Sequence, residues 1–203
     1  NYVNLASEGN VLISGKGYYD TAINIENSSI DGKSGIEIIG YGHSNIFNTS
    51  GVSIKDSYLS SYNSGDTSIK IKGLGGNFLG EMNSQDNVDI ALGIYIYNSS
   101  VDSDGKLDLY GVGSDGDIVL NSFGIYFDTS DVSGNSIDLK GYGGNSIMDI
   151  NNFDFNFMDF PYENDGISID NSIFYSDTTL SIDGSAGSGD LGSDNDGVSV
   201  RNS

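Results

Sequence analysis

The sequence contains no cysteine and no tryptophan, and it has only one proline and one histidine. Without cysteine the chain has no disulfide framework. A single proline is compatible with long hydrogen-bonded strand ladders, because proline cannot donate a backbone hydrogen bond. No window shows a sustained helical period, and no apolar run is long enough to span a membrane. These absences favour an all-β chain.

Basic residues are also scarce. Lysine and arginine total 8 against 29 aspartates and glutamates, which gives a net charge of −21 over 203 residues. Phosphate contacts need clustered lysines and arginines, so this balance excludes nucleic acid and anionic membranes as partners. We expect no membrane insertion. A strongly acidic surface suits an extracellular protein in a salty medium, where ions screen its self-repulsion.

What the chain has instead is one phrase repeated six times. Each copy opens with a small residue, continues with an apolar–polar–apolar stretch, and reaches a turn pair that ends in serine. The copies begin at Ala22, Gly51, Gly93, Gly124, Gly166 and Gly197, and their turn serines are Ser28, Ser57, Ser99, Ser130, Ser172 and Ser203. A regular period of this kind is typical of a repeat architecture.

A second alternating phrase follows each turn and closes on glycine, as in IDLKG, which ends at Gly141. Each unit therefore has three short stretches of period-two alternation, such as 166–170, 172–175 and 180–183. Three strands per unit predict a parallel β-helix, a solenoid of about six to seven coils with one continuous core. The alternative is a β-sandwich, which does not need the same side chain at the same phase in every unit.

The alternation also predicts the core and the loops. The inward residues of the first stretch would stack on their equivalents, and they are Ile23/Ile25, Val52/Ile54, Ile94/Ile96, Ile125/Phe127, Ile167/Ile169 and Val198/Val200. The outward side would pair Tyr95 with Tyr126 and Asp170 with Arg201. Units alternate between long and short because residues are inserted before each new start. Insertions at one point map to one side of a repeat structure, so we expect lateral loops at 77–92 and 145–165.

Acidic turns are the candidate metal sites. The loops 100–106 and 192–197 place Asp102, Asp104, Asp194 and Asp196 at alternate positions near glycine. Calcium binds oxygen ligands of this kind, but neither loop completes the EF-hand pattern. Two interpretations are open: a structural calcium ion, or acidic turns without a ligand. We expect no other cofactor.

The segment 151–162 contains the candidate interaction residues, in which aromatic and polar side chains alternate. These residues are Phe153, Phe155, Phe157, Phe160 and Tyr162. Such a strand either buries its rings against the flank of the rod or offers them to a partner, since exposed apolar patches mark interaction sites.

Candidates for catalysis are few. His43 is the only histidine and follows a closing glycine, where a polar loop residue needs no catalytic explanation. Arg201 is the only arginine, and the lysines are scattered along the chain. Paired acids in Gly–Ser loops are usually turn formers. We assign no catalytic residue and do not expect an enzyme.

The cadence of the repeats resembles a known family. GIYIYNSSVDSDGKLDLYGVG (93–113) and GIYFDTSDVSGNSIDLKGYGG (124–144) are similar to the repeats of filamentous-haemagglutinin-type exoproteins, which are secreted bacterial adhesins of the two-partner pathway. The resemblance covers the chain from residue 22 onwards. It implies a right-handed β-helix, export to the cell surface, and a role as a stalk or adhesive shaft.

Together these observations predict a structural or adhesive segment of a secreted cell-surface or extracellular filament, without catalysis. The single segment 1–203 is expected to be a fragment of a longer exoprotein, because it begins and ends in mid-repeat. Open strand edges template further pairing, so the expected partner is the chain itself or further repeats, stacked end to end. A cell-surface glycan or protein is a further candidate partner. The alternative function is a carbohydrate-active enzyme, a polysaccharide hydrolase or lyase.

Overall fold

The computed structural model describes residues 3–18, 21–43, 50–65, 67–76, 92–115, 121–145, 163–188 and 195–203. Within these ranges the chain is all-β, and every pairing between strands is parallel. The strands form two sheets. The smaller sheet has six strands, which are β3 (Ile23–Glu26), β6 (Val52–Lys55), β9 (Ile94–Tyr97), β11 (Ile125–Asp128), β13 (Ile167–Asp170) and β15 (Val198–Arg201).

The larger sheet has nine strands. They are β1 (Val3–Ser7), β2 (Asn10–Gly17), β4 (Ser28–Gly32), β5 (Gly35–Gly42), β7 (Tyr58–Ser61), β8 (Ile69–Leu74), β10 (Ser100–Val112), β12 (Asp131–Tyr142) and β14 (Ile173–Ser185). Seven of them follow one hydrogen-bonded path, β1-β4-β7-β10-β8-β5-β2. The path turns back at β10, because the first half of β10 pairs with β7 and the second half of β10 pairs with β8. On its other side β10 pairs with β12, which pairs with β14.

The prediction of a β-helix with three strands per coil is wrong. The described strands make two sheets, and the second and third stretches of each repeat lie in the same sheet. In the repeats that begin at Gly93, Gly124 and Gly166, these stretches are one strand of 13, 12 and 13 residues. The physical reason is the length of the link. Residues 104 and 105 stay extended inside β10, whereas the longer segment 62–68 separates β7 from β8.

Equivalent residues of successive repeats pair with each other, as the alignment of the copies predicts. In the smaller sheet one column runs through Ile23, Val52, Ile94, Ile125, Ile167 and Val198. All the predicted inward residues from Ile23 to Ile169 are at most 7 % exposed, so that part of the core prediction is confirmed. Val198 and Val200 are 39 % and 58 % exposed, because β15 is the outermost strand of its sheet.

The outward side chains follow the predicted phase. The rings of Tyr95 and Tyr126 stack with their centroids 5.4 Å apart. Arg201 lies in register with Asp170, but its guanidinium donates instead to Glu163 Oε1 at 2.7 Å. Register alone therefore did not identify the ion pair.

Each repeat turns from the smaller sheet into the larger one through a residue in the left-handed backbone region. The value of φ lies between 45° and 53° at Asn27, Asp56, Asn98, Thr129, Asn171 and Asn202. Asparagine and aspartate tolerate this region because their short polar side chains bond locally. Thr129 is the unfavourable member of the set, since a β-branched side chain rarely adopts positive φ.

The residue after each left-handed position is a serine, and the serines form a ladder across the repeats. The backbone N–H of Ser57 donates to Ser99 Oγ at 3.1 Å, and the hydroxyl of Ser99 donates to the carbonyl of Tyr97 at 2.7 Å. The same N–H to Oγ bond links every successive pair of Ser28, Ser57, Ser99, Ser130, Ser172 and Ser203. The ladder therefore satisfies buried backbone donors that would otherwise cost about 1–3 kcal/mol each.

The two sheets are in close contact where one repeat closes and the next opens. A Cβ added at Gly73 or Gly111 would collide with the carbonyl oxygen of Gly93 or Gly124, respectively. That carbonyl is engaged in the smaller sheet, where Gly124 accepts the N–H of Ile94 at 2.9 Å. Only glycine fits the closing position, which explains why every second phrase ends on it.

The first prediction concerns the core. Ile96→Asp places a charge at a site with no solvent exposure, so we expect the free energy of unfolding to fall by at least about 3 kcal/mol. Asn24→Asp makes the same kind of charge on the exposed face of the same sheet and should change stability little. Chemical denaturation of both variants measures the difference, and equal losses would contradict the assigned phase.

The second prediction concerns the serine ladder. Ser99→Ala removes the acceptor of the buried Ser57 N–H, so we expect a loss of about 1–3 kcal/mol in unfolding free energy. Ser28→Ala is the matched control, because Ser28 lies at the end of the ladder and its Oγ accepts no serine N–H. If the two substitutions cost the same, the ladder bonds do not stabilise the stacking.

Candidate functional site: the lysine face of the larger sheet

The outward face of the second phrases brings together most of the basic residues of an acidic chain. Five of its eight lysines and arginines lie there, although they are far apart in sequence. They are Lys16 on β2, Lys70 and Lys72 on β8, Lys106 on β10 and Lys140 on β12. We call this surface the lysine face; it is formed by the outward residues of β2, β5 and β8 and of the second phrases within β10 (106–112), β12 (136–142) and β14 (179–185).

Carboxylates are interleaved with these lysines. Glu37, Asp108, Asp138 and Asp183 share the face, and the strand register places them beside lysines. Lys70 Nζ lies 3.2 Å from Glu37 Oε1. Exposed pairs of this kind contribute at most about 1 kcal/mol each. The face is thus close to neutral while the whole chain carries −21.

Asp138 is the most engaged carboxylate of the lysine face. Lys106 and Lys140 donate to the same oxygen, Oδ2, at 3.1 and 3.2 Å. Partial burial opposes ionisation, but the two ammonium groups outweigh it and lower the pKa of Asp138. The same contact raises the pKa of Lys140. Asp138 and Lys140 are therefore charged across the neutral pH range.

Three tyrosines complete the lysine face. The ammonium of Lys72 lies 5.5 Å from the ring centroid of Tyr110 and 5.9 Å from that of Tyr41, within cation–π range. The ring of Tyr142 on β12 lies 5.7 Å from that of Tyr110. Lys72 has no carboxylate partner among the described ion pairs, so the two rings are its positioning contacts.

The lysine face is accessible to solvent, since the side chains of Lys70 and Glu37 are 48 % and 41 % exposed. Two shallow depressions lie along it and share Lys70 and Asp108 in their lining. On the smaller sheet, by contrast, Ser53 and Ser168 point outward and are nevertheless buried. These two outward positions of the smaller sheet are therefore closed to solvent.

Sequence reasoning missed this site because it treated the lysines as scattered. They are scattered in sequence, but parallel pairing places Lys70 beside Glu37 and Asp108, which are 33 and 38 positions away. Alignment of the outward letters of IEIIG, IKIKG, LDLYG and IDLKG would have shown the cluster.

The predicted interaction residues Phe153, Phe155, Phe157, Phe160 and Tyr162 lie outside the described residues. The same holds for most of the two lateral loops, 77–92 and 145–165. Of the first loop Leu92 is described, and it is buried. Of the second loop Asn145, Glu163, Asn164 and Asp165 are described, and the last two are buried. An aromatic contact surface therefore stays a prediction.

The predicted calcium ligands are only partly described, since Asp194 lies outside the described residues. Asp102 accepts a hydrogen bond from the Ser133 hydroxyl at 2.6 Å. Asp104 is exposed on the same strand, and the backbone N–H of Asp196 donates to Asp165. Among described residues no group of three acidic, histidine or cysteine side chains is arranged to hold a metal. Calcium stays a prediction.

His43 packs its ring against Tyr18, with centroids 5.2 Å apart, and its backbone N–H donates to Gly17. These contacts give it a structural role at the end of β5.

Asp165 is the one strongly perturbed carboxyl group of the described chain. Its side chain is 1 % exposed, and Oδ1 accepts the backbone N–H of Asp196 at 2.8 Å. Burial raises the pKa of Asp165 to about 6; the bond from Asp196 opposes this rise, and the nearby Glu163 adds to it. Arg201 is the neighbouring cation and favours ionisation.

Comparisons with known proteins do not identify the chain. No protein-family model, no curated protein and no solved structure matches it. The resemblance to filamentous-haemagglutinin-type repeats therefore stays a prediction. In the part of the chain that the structure describes, no helix is long and apolar enough to cross a membrane.

The third prediction concerns pH. The carboxyl of Asp165 ionises near pH 6 in the folded chain and near its ordinary value, about 3.9, in the unfolded chain. The folded state is therefore favoured while Asp165 is protonated, and this contribution is lost as pH rises from about 4 through 6. Relative to Asp165→Asn, the unfolding free energy of the natural chain should increase by about 1 kcal/mol between pH 7 and pH 5.

Denaturant titrations of the natural chain and of Asp165→Asn at several pH values give this difference. Charge repulsion among the other acidic residues affects both proteins alike, so it cancels when the two unfolding free energies are subtracted. Parallel pH profiles would show that Asp165 has no shifted pKa.

Proposed function

We propose that this chain is a structural and adhesive segment of an extracellular filament, without a catalytic role. The observation that carries the proposal is the in-register parallel stacking of equivalent residues, together with outermost strands that expose the same columns. Leu180 on β14 is 45 % exposed, whereas its column neighbour Ile137 is 1 % exposed. At the opposite edge Leu5 is 41 % exposed and its neighbour Ile30 is 4 % exposed.

The hydrogen-bonding groups at the two edges are complementary. Along the ladder each serine N–H donates to the Oγ of the next repeat, from Ser28 to Ser203. Among the described residues, the backbone N–H of Ser203 has no serine acceptor and Ser28 Oγ accepts no serine N–H. A further repeat, in the same chain or in a second copy, would continue both the ladder and the apolar columns.

Contacts of this kind join one surface to a different one, and such head-to-tail contacts form open filaments rather than closed rings. Exposed parallel edges template further pairing. The charge of −21 supports an extracellular setting, because a salty medium screens repulsion between stacked units. The resemblance of the repeats to secreted adhesins supports the same setting.

The fourth prediction tests this assembly by sedimentation velocity over a wide range of protein concentration. We expect the natural chain to form a concentration-dependent series of end-to-end species, visible as linear particles by electron microscopy. Leu180→Lys places a charge in the apolar column of the edge and should abolish the series. Ser181→Lys adds the same charge one residue away on the exposed outer face, and it should assemble like the natural chain.

A natural chain that stays monomeric at every concentration, with both outer strands ordered, would contradict the proposal. Equal assembly by Leu180→Lys would show that association uses another surface.

A further inference from the structure

The lysine face combines features that point to a ligand rather than to a purely structural role. It is solvent-open, it carries depressions linked by Lys70 and Asp108, and it contains hydrogen-bond donors and acceptors in alternation. None of these features is needed for stacking, because the inward columns and the serine ladder hold the repeats together. This inference deepens the adhesive role proposed above and rests on it.

The balance of charge indicates the chemistry of the ligand. The face offers five ammonium groups and four carboxylates on a chain of net charge −21. A polyanion would meet the four carboxylates and the repulsive field of the whole molecule. A neutral ligand rich in hydroxyl groups avoids both, and each hydroxyl can accept from a lysine and donate to an aspartate or glutamate.

The aromatic rings supply the apolar part of the contact. Tyr41, Tyr110 and Tyr142 lie on β5, β10 and β12, interspersed with the charged groups. Tyr142 is 38 % exposed, so an edge or face of its ring is accessible. Tyrosine packs its apolar body against a ligand at low conformational cost and hydrogen-bonds with its hydroxyl. The C–H faces of pyranose rings are a suitable counterpart.

We propose that the lysine face binds a neutral, extended polysaccharide of β-linked pyranoses that lies across the strands. Successive strands are spaced by about 4.8 Å, which is similar to the length of one pyranose residue in an extended chain. Each sugar would therefore meet one strand, with the rings packing on the tyrosines and the hydroxyls bonding to Lys70, Asp108 and Lys140. A surface that repeats at the pitch of its ligand binds a long chain through several weak contacts at once.

The fifth prediction is tested by isothermal titration calorimetry with cellohexaose and chitohexaose as neutral probes, and with hexagalacturonate and dextran sulfate as acidic ones. We expect the neutral hexasaccharides to bind with an affinity that added sodium chloride does not change, because no ion pair is involved. Tyr142→Ala and Tyr110→Ala should each weaken binding by about tenfold.

Tyr97→Ala is the matched control, because Tyr97 on the smaller sheet is 37 % exposed, nearly the same fraction as Tyr142. The affinity of the Tyr97→Ala variant for the neutral probes should equal that of the natural chain. Thermal melting of each variant checks folding. If Tyr110→Ala is destabilised, the effect of Tyr142→Ala on the affinity decides the result, because Tyr142 is exposed.

Absence of binding to both neutral hexasaccharides would overturn the proposal. So would binding that Tyr142→Ala leaves unchanged, or binding confined to acidic probes and abolished by salt, which would make the face an anion site. Leu180→Lys should keep full affinity for the sugar while losing end-to-end assembly. A failure of the filament proposal is thereby distinguishable from a failure of this one.

Discussion

The structure depends on one local conformation, the left-handed residue that precedes the serine in every repeat. It turns the chain out of the smaller sheet and presents the serine N–H and Oγ along the stacking direction. Because the serine bonds both to its own repeat and to the next, it aligns one repeat on its neighbour without a register slip. A slip of a single residue would exchange the inward and outward side chains of every strand. The turn, rather than the core alone, therefore determines the register.

Register has a consequence for the surface as well as for the core. When apolar columns align inside, the residues between them align outside, so that side chains remote in sequence become neighbours. On the smaller sheet this aligns Tyr95 with Tyr126, in a region where neighbouring outward serines are buried. On the larger sheet it brings lysines, carboxylates and tyrosines together on a face that stays open. The stacking that stabilises the fold thus also creates a composite surface.

Acidic and basic residues are distributed differently between the turns and the strands. Acids such as Asp56 and Asp128 lie at or beside the left-handed turns. Asp128 accepts a hydrogen bond from the neighbouring Thr129, and Asp56 accepts one from Asn98 of the next repeat. Five of the seven lysines lie instead along the strands of the larger sheet, where long side chains can cover neighbouring rings. The exceptions are Lys33, between β4 and β5, and Lys55, the last residue of β6. Asp165 departs from this division, because its carboxyl group is buried and its pKa is raised by the lack of solvent. An acidic chain can therefore carry a nearly neutral face without a change in its overall composition.

The repeated letters by themselves determined the inward columns, the serine ladder and the closing glycines. Each of these depends on local rules, namely period-two alternation, the tolerance of asparagine and aspartate for positive φ, and the small size of glycine. Only the tertiary structure decided that the second and third stretches share one sheet, because a short link such as residues 104 and 105 either bends or stays extended according to the strands beside it. The gathering of Lys70, Lys72 and Lys140 and the burial of Asp165 were likewise decided there. These features arise between repeats about thirty or forty residues apart. Neighbours across the sheet, and not neighbours in sequence, set the distances between the charged groups and the dielectric environment around them.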